Sequence, residues 1–336
     1  MREWDPRAAS PAELASVLDT VNAVIAADLP DDPPWQNAKL REYLSVTMPG
    51  ERRVCWIAEE SPGDAASGRP VLGIADILLL GDTGILQVFV DPKARRGSVG
   101  RRLLATVIRR AHEEDVSSVA VEVVGGTPAA DFFEANGFRC AYVEIRSLLR
   151  LAEVDWPALR EMADGIGAGY RVEYHSGGLP EELIEPYAAT KHTARDDADS
   201  DLRPSSYDPG RLRASLATLN ARGMKPHIVV AIHEESGTVA GLTEVVTPVQ
   251  HPTRADQYDT IVRPDHREHG VAQAIKARML FELRSAEPAL REVQTWNAPD
   301  NEFMLTVNAE LGFKPDREWR EYEADVPDLV TRLGSP

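Results

Sequence analysis

Val262-Arg263-Pro264-Asp265-His266-Arg267-Glu268-His269-Gly270-Val271-Ala272 is the stretch that decides how this chain is read. The residues from Tyr258 to Val262 before it read as a strand, and the segment from about Val271 to Arg284 reads as a helix. A strand that turns through an Arg- and Gly-containing loop into a helix presents several backbone N–H groups at a positive helix end. That geometry binds a phosphate or pyrophosphate. Gly270 lets the backbone approach such a ligand closely, and the small Ala272 leaves room beside it.

Working outward, Asn297 stands at the end of the next expected strand, Glu292–Trp296. Asn301 and Asn308 fall on or beside the helix Glu302–Leu311, and Leu311-Gly312-Phe313 reads as that helix's end. Upstream, the same order of elements occurs once already. The strands Arg53–Glu59, Val71–Leu80 and Ile85–Val90 lead into Val90-Asp91-Pro92-Lys93-Ala94-Arg95-Arg96-Gly97-Ser98-Val99-Gly100, then a helix, Arg101–Glu114. Strand Ser118–Val124, helix Pro128–Ala135, Asn136-Gly137-Phe138 and strand Cys140–Leu149 follow. Pro92 and Pro264 are 172 apart (264−92), as are Arg95 and Arg267 (267−95) and Gly100 and Ala272 (272−100). Gly137 and Gly312 are 175 apart (312−137). A near-constant offset across separate landmarks signals duplication of one α/β unit.

The expected division is therefore residues 1–150 as a first domain, a linker over 151–169, and residues 170–336 as a second domain. The linker carries a short capped helix at Asp155–Arg160 and a flexible Gly165-Ile166-Gly167-Ala168-Gly169. Two helices, Pro11–Ala26 and Pro34–Met48, open the first domain. Helices Pro180–Thr193 and Pro209–Arg222, with strands Tyr170–His175, His227–Ile232, Val239–Val246 and Gln257–Val262, open the second. Trp319–Val326 is the expected last strand.

With 336 residues and 43% hydrophobic content the chain is long enough for two real cores. A formal charge of −17 argues against a nucleic-acid binder and suits either solubility or a cationic partner. Cys55 and Cys140 make neither a disulfide framework nor a zinc site, and the histidines show no metal-ligand spacing, so no metal is expected. Neither a signal peptide nor a membrane span is legible, which places the expected site of action in the cytoplasm, away from membranes. Both a monomer and a homodimer fit.

The spacing Arg267-x-x-Gly270-x-Ala272 after Val-x-Pro, together with the Asn-bearing segment and Leu-Gly-Phe, resembles the GNAT N-acetyltransferase superfamily. The duplication makes it the tandem-domain type, similar to mycothiol synthases and to tandem acetyltransferases of natural-product pathways, including those that act on amino-phosphonates. The resemblance implies an α/β fold (α+β mixed sheet) of two GNAT-like domains, each a splayed, mostly antiparallel sheet flanked by helices. It implies acetyl-CoA as co-substrate. Arg267, Glu268, His269, Gly270, Val271 and Ala272 would then hold the pyrophosphate. Thr260, Ile261 and Val262 would offer backbone partners to the pantetheine arm, and Asn297, Asn301 and Asn308 side-chain amides. Asn301 also reads as a helix cap.

By the same resemblance Val88, Val90, Arg95, Arg96, Gly97, Ser98, Val99 and Gly100 form a candidate second coenzyme site. Ser98 there stands where the second unit has Gly270, and Phe133 stands where it has Asn308. The first domain accordingly reads as a degenerate partner, with a second acetyl-CoA site as the competing view. Many GNAT enzymes carry a Tyr at the position of Asn308 to serve the departing thiolate; Asn308 here is left to hydrogen-bond the sulfur or pantetheine.

For the general base the candidate is Glu244, a carboxylate in a Val- and Thr-rich strand, against the reading of a solvated strand residue. Tyr258 and Asp259 are weaker candidates on the neighbouring strand, and period two allows only one of them to face the cleft. His266 and His269 are read as shaping the phosphate loop. The acidic run from Arg195 to Asp201 either borders a cationic acceptor or is a solvated loop. The expected activity is acetyl transfer to the primary amine of a small molecule, catalysed in the second domain. A non-catalytic acyl-CoA-binding regulatory module is the alternative of another class.

Overall fold

The computed structural model describes residues 1–60, 70–193 and 208–334. In chain order the elements are β1 (Arg2–Trp4), α1 (Pro11–Asp28), α2 (Asn37–Ser45), β2 (Arg52–Glu59), β3 (Val71–Leu80), β4 (Thr83–Val90), α3 (Val99–Glu113), β5 (Ser118–Val124), α4 (Pro128–Ala135) and β6 (Arg139–Arg150). They continue as α5 (Trp156–Asp164), β7 (Tyr170–Ser176), α6 (Glu181–Thr193), α7 (Pro209–Ala221), β8 (Met224–His233), β9 (Val239–Pro248) and β10 (Arg254–Val262). The last are α8 (Val271–Ala286), β11 (Glu292–Asn297), α9 (Glu302–Leu311), β12 (Lys314–Asp325) and α10 (Val326–Leu333). β1 and α10 are additions to the sequence reading, and β12 starts five residues earlier than expected (319−314).

The chain forms two compact units, one of Met1–Val143 with Trp319–Pro336, the other of Glu144–Glu318. In the first, the sheet runs β1-β2-β3-β4-β5-β12. Its pairs are antiparallel except β4 with β5, which run parallel and pair only over Thr83–Ile85 against Ser118–Ala120. Beyond that point the two strands part. The β3–β4 ladder is unbroken from Gly73↔Val90 to Leu80↔Thr83. One face packs on α3, α4 and α10 through Leu103, Leu104, Val107, Phe133 and Leu329; the other packs on α1 and α2 through Val17, Val21, Leu40 and Ile57. Helix α1 starts where Ser10 and Glu13 close a capping box ahead of Pro11.

In the second unit the order is β6-β11-β10-β9-β8-β7. Again one pair is parallel, β10 with β11, and it too stops early, after Arg254–Asp256 against Glu292–Gln294. The β9–β10 ladder, unlike its counterpart, is broken: the register shifts between Gln257 and Thr260. Tyr258 and Asp259 stand opposite the single residue Glu244, and this one extra residue makes a bulge, which bends the strand and leaves backbone groups outside the ladder.

The duplication is visible in detail. Thr20 Oγ1 donates to Val71 O at 2.6 Å, tying α1 to the start of β3, and Thr190 Oγ1 donates to Val239 O at 2.6 Å, tying α6 to the start of β9. A Cβ at Gly73 would come within 2.9 Å of Leu103 Cδ1; one at Gly241 would come within 2.6 Å of Val271 Cγ1. Each glycine lets the loop helix lie against the strand.

The domain limits differ from those expected. Residues 319–336 fall in the first unit because β12, from Trp319 to Asp325, pairs with β5 from Val124 to Ser118. Residues from Glu144 through the expected linker fall in the second unit, where Glu292–Asn297 pairs with Arg150–Ile145. The segment 151–169 is not a free tether. Leu159 of α5 is buried in the second unit's core, Trp156 packs on Phe281 of α8 at 5.3 Å between ring centroids, and Arg160 and Arg284 cover those two rings.

Candidate active site

Each unit carries a loop between a central strand and its long helix, and the two loops share one backbone path. Glu268 and Gly270 have φ of 67° and 70°; Arg96 and Ser98 have 66° and 65°. Alternating left-handed residues turn successive N–H groups to one side, the arrangement that binds anions. Among the described residues no backbone carbonyl accepts from the N–H groups of Glu268, His269 and Gly270, nor from those of Arg96, Gly97 and Ser98. Ser98 therefore holds the same turn that Gly270 holds, at the steric cost a Cβ brings to that region. Arg95 is a strut, with Nη1 and Nη2 on Asp28 at 2.9 and 2.7 Å and Nε on Val90 O at 3.3 Å.

Gly270 is glycine for a second reason. A Cβ there would lie 2.9 Å from Gly165 O. The segment after α5 crosses the loop, and Gly167 N–H donates to His269 O at 3.0 Å. Tyr170, at the start of β7, then packs against the rings of His233, His266 and His269, and its hydroxyl meets His266 Nδ1 at 2.9 Å. His266 and His269 thus sit in an aromatic cluster that shapes the loop. Burial lowers the His266 pKa against the opposing pull of Asp265, which favours a neutral ring.

The bulge in β10 lies at the mouth of the opening between β10 and β11. Thr260 meets Thr243 at 2.8 Å between hydroxyls, and Tyr258 is 45% exposed. Glu244 is buried rather than presented to solvent: Tyr187 donates to one carboxylate oxygen, and Lys191 Nζ lies 2.7 Å from the other. Lys191 Nζ also lies 3.0 Å from Asp259. Burial pushes the Lys191 ammonium down, but Glu244 and Asp259 outweigh it and hold its pKa well above the ordinary lysine value. Gln257 completes the cluster, donating to Glu244 O at 2.7 Å and Thr243 Oγ1 at 2.9 Å. Glu244 and Asp259, read from the sequence as separate candidates, share one cation.

Lys191 and Tyr187 were missed in reading the sequence. The signal was present: Ile184, Tyr187, Ala188 and Lys191 share one helical face, and a lysine on a buried face needs partners.

The three asparagines divide their work. Asn301 caps α9, accepting from Met304 N–H at 3.1 Å. Asn308 is 3% exposed and donates to Asn297 Oδ1 at 2.7 Å, while its own Oδ1 is buried with no partner. The first unit has Val123 and Phe133 in place of Asn297 and Asn308 (297−174, 308−175), both inside its apolar core. The acidic run from Arg195 to Asp201 lies outside the described residues. Among those residues no group of His, Cys, Asp and Glu has the arrangement of a metal site, and no helix is long and apolar enough to cross a membrane.

A sheet whose strands part beside an N–H-lined loop at a helix start, occurring twice in one chain, is the architecture of tandem-domain GNAT N-acetyltransferases. Residues 51–140 match the GNAT acetyltransferase domain model. The chain is similar to a tandem GNAT protein from the clavulanic acid biosynthesis pathway, at 26% identity and a TM-score of 0.77, over 93% of this chain and 94% of that one. It shares its fold with a GCN5-related N-acetyltransferase from Sphaerobacter thermophilus (14% identity, TM-score 0.67, 95% and 94% covered). The fold is also that of a GCN5-related glucosamine N-acetyltransferase region in a fungal multi-domain β-N-acetylglucosaminidase (15%, TM-score 0.67, 96% and 38% covered). None of the curated proteins matches the chain. The enzyme is an acetyltransferase of the kind that uses an acyl-CoA donor.

Proposed function

We propose that the chain transfers the acetyl group of acetyl-CoA to the primary amine of a small molecule in the cytoplasm, and that the second unit carries the reaction. The observation that carries this reading is the register break between Gln257 and Thr260, beside an opening the first unit has without any break. A bulge at that place leaves backbone N–H groups able to polarise a thioester carbonyl. The loop from Arg267 to Ala272 would hold the diphosphate, and Asn308, with its buried unsatisfied oxygen, fits a partner with an amide donor such as pantetheine. Thr260, Ile261 and Val262 form the free edge along which that arm would lie.

On the acceptor side, two carboxylates against one ammonium leave a net negative charge beside Tyr258, which favours a cationic amine. Glu244 would receive the amine's proton within this network rather than as an isolated base. The neighbour from clavulanic acid biosynthesis and the glucosamine-acetylating region both favour a small polar acceptor, such as an amino sugar or a natural-product intermediate.

A second reading, that the first unit also holds acetyl-CoA, is favoured by the matched dihedral angles of its loop and by the family match over residues 51–140. Calorimetry with acetyl-CoA separates the two. Under the leading reading Gly270→Asp abolishes binding and Ser98→Asp leaves one molecule bound per chain. Loss of binding in Ser98→Asp alone would move the active site to the first unit.

A further inference from the structure

The last rung before the strands part differs between the two units. In the first unit it pairs Ile85 with Ala120, and in the second it pairs Asp256 with Gln294. Gln294 Nε2 donates to Asp256 Oδ1 at 2.6 Å, and Gln294 Oε1 accepts from Arg146 Nη1 at 3.4 Å. Arg146 is 1% exposed and is held in turn by Asp316, its Nε 2.7 Å from Oδ2. The chain from Asp316 through Arg146 and Gln294 to Asp256 fixes the Gln294 amide in one orientation. One N–H of that amide is engaged by Asp256, and no partner among the described residues takes the other.

Val293 and Ala255 point into the core under α8, so Gln294 and Asp256 point to the opposite face. Trp296, two residues on, shares that face and stands opposite Arg146 in the β6–β11 ladder. Extending the parallel register by two residues sets Tyr258 across the opening from Trp296. Tyr258 belongs to the bulge and is 45% exposed, and Trp296 is half-buried. Asp259 meets Lys191 on the same face. This side of the opening therefore has two aromatic walls, a fixed amide at its root and the acidic Lys191 cluster beside it. In the first unit Ala120 and Glu122 stand at the positions of Gln294 and Trp296 (294−174, 296−174). A buried ion pair holds a fold together no better than apolar packing, and Ile85 with Ala120 closes the same rung without one. Stability does not account for the polar rung.

We propose that Gln294 and Trp296 select the acceptor, and that the acceptor is a primary amine borne on a hydroxylated ring, such as an amino sugar or an aminocyclitol. The inference rests on the functional reading above and names the substrate class of that same site. The C–H face of the ring lies on the indole of Trp296 and against Tyr258. One ring hydroxyl accepts from the second N–H of Gln294, and the ammonium turns toward the net negative charge of Glu244, Asp259 and Lys191. An open-chain amine covers less of the indole and leaves the Gln294 N–H without a partner. A site built to hydrogen-bond a hydroxyl discriminates against molecules that lack it for that reason. Gln294 and Trp296 position the acceptor and move no proton.

The test compares glucosamine, cyclohexylamine and hexylamine, each a six-carbon primary amine, by CoA thiol release in the full chain. Glucosamine should show a kcat/KM about tenfold or more above the other two. In Trp296→Ala the glucosamine KM should rise about tenfold while kcat stays within about threefold, and Trp296→Phe should recover most of the loss. In Gln294→Leu the preference for glucosamine over cyclohexylamine should shrink to about threefold or less. Acetyl-CoA affinity, read by calorimetry, should stay within about threefold in all three variants, because the diphosphate loop is untouched. Hexylamine or cyclohexylamine turned over as well as glucosamine would overturn the proposal and leave the functional reading standing. So would turnover of none of the three by a chain that binds acetyl-CoA, or an unchanged glucosamine KM in folded Trp296→Ala. Loss of acetyl-CoA affinity and kcat together with KM in Trp296→Ala would show a structural role and overturn it as well. Failure of the wild type to bind acetyl-CoA would overturn the functional reading with it.

Discussion

The N–H of Gly167 donates to the carbonyl of His269 at 3.0 Å, so the segment after α5 is part of the coenzyme loop's support. This bond fixes the peptide whose far side carries the N–H of Gly270. A Cβ at Gly167 would sit at an ordinary 3.5 Å from His269 O, so Gly167→Ala should be tolerated. Gly167→Pro removes the donor and strands the carbonyl, at a cost of about 1 kcal/mol. Calorimetry should show acetyl-CoA affinity falling roughly three- to tenfold in the Pro variant and holding in the Ala variant. Equal affinities would show that the strap does not support the loop.

Gly270 and Ser98 make a matched pair of opposite changes. Gly270→Ala meets both a φ of 70° and the Gly165 oxygen 2.9 Å from its Cβ, so it should lose more than the ~1–2 kcal/mol of the left-handed penalty. Ser98→Gly removes that penalty at a φ of 65° and, after the entropic cost of glycine, should be neutral or stabilising by up to about 1 kcal/mol. Chemical denaturation of each variant reads both.

Much of this site was legible because duplication copies landmarks at fixed spacing. The offset of 172 between Arg95 and Arg267 identified both loops, and the two do share a backbone path. Three features were not legible, each for a physical reason. Pairing of β12 with β5 is a choice between equivalent edges, and the alternation of a strand such as Trp319–Asp325 suits either. The bulge at Gln257–Thr260 needs a ladder partner to exist at all. The Gly-rich stretch 165–169 has the composition of a flexible linker, and only its packing on Gly270 shows otherwise.

Removing one member of the Lys191 cluster leaves buried charge behind. Lys191→Met would strand Glu244 beside Asp259, which for a buried pair costs about 3–5 kcal/mol, and protein yield and Tm should fall sharply. Glu244→Gln keeps the shape and the Tyr187 contact while discarding the negative charge, so folding should survive better than in Lys191→Met. Its turnover, followed as CoA thiol release with a panel of primary amines, should drop by about tenfold to a thousandfold if this network takes the acceptor's proton. Unchanged turnover would remove Glu244 from the reaction.

Lys276 of α8 is 3% exposed, and it sets a pH dependence of stability whose sign follows from that burial. Its pKa in the folded chain is lowered to about 7, whereas an unfolded lysine titrates near 10.4. Between those values the unfolded chain binds the extra proton, so stability rises with pH through that window and the penalty is full below it. Lys276→Leu restores the residue that the first unit has at Leu104 and removes the penalty. Its Tm should exceed that of the wild type most at about pH 6 and least near pH 10, with each kcal/mol worth about 2–4 °C in a unit of this size. A gap that stays constant across that range would mean that Lys276 keeps its ordinary pKa, through a counter-ion or through water.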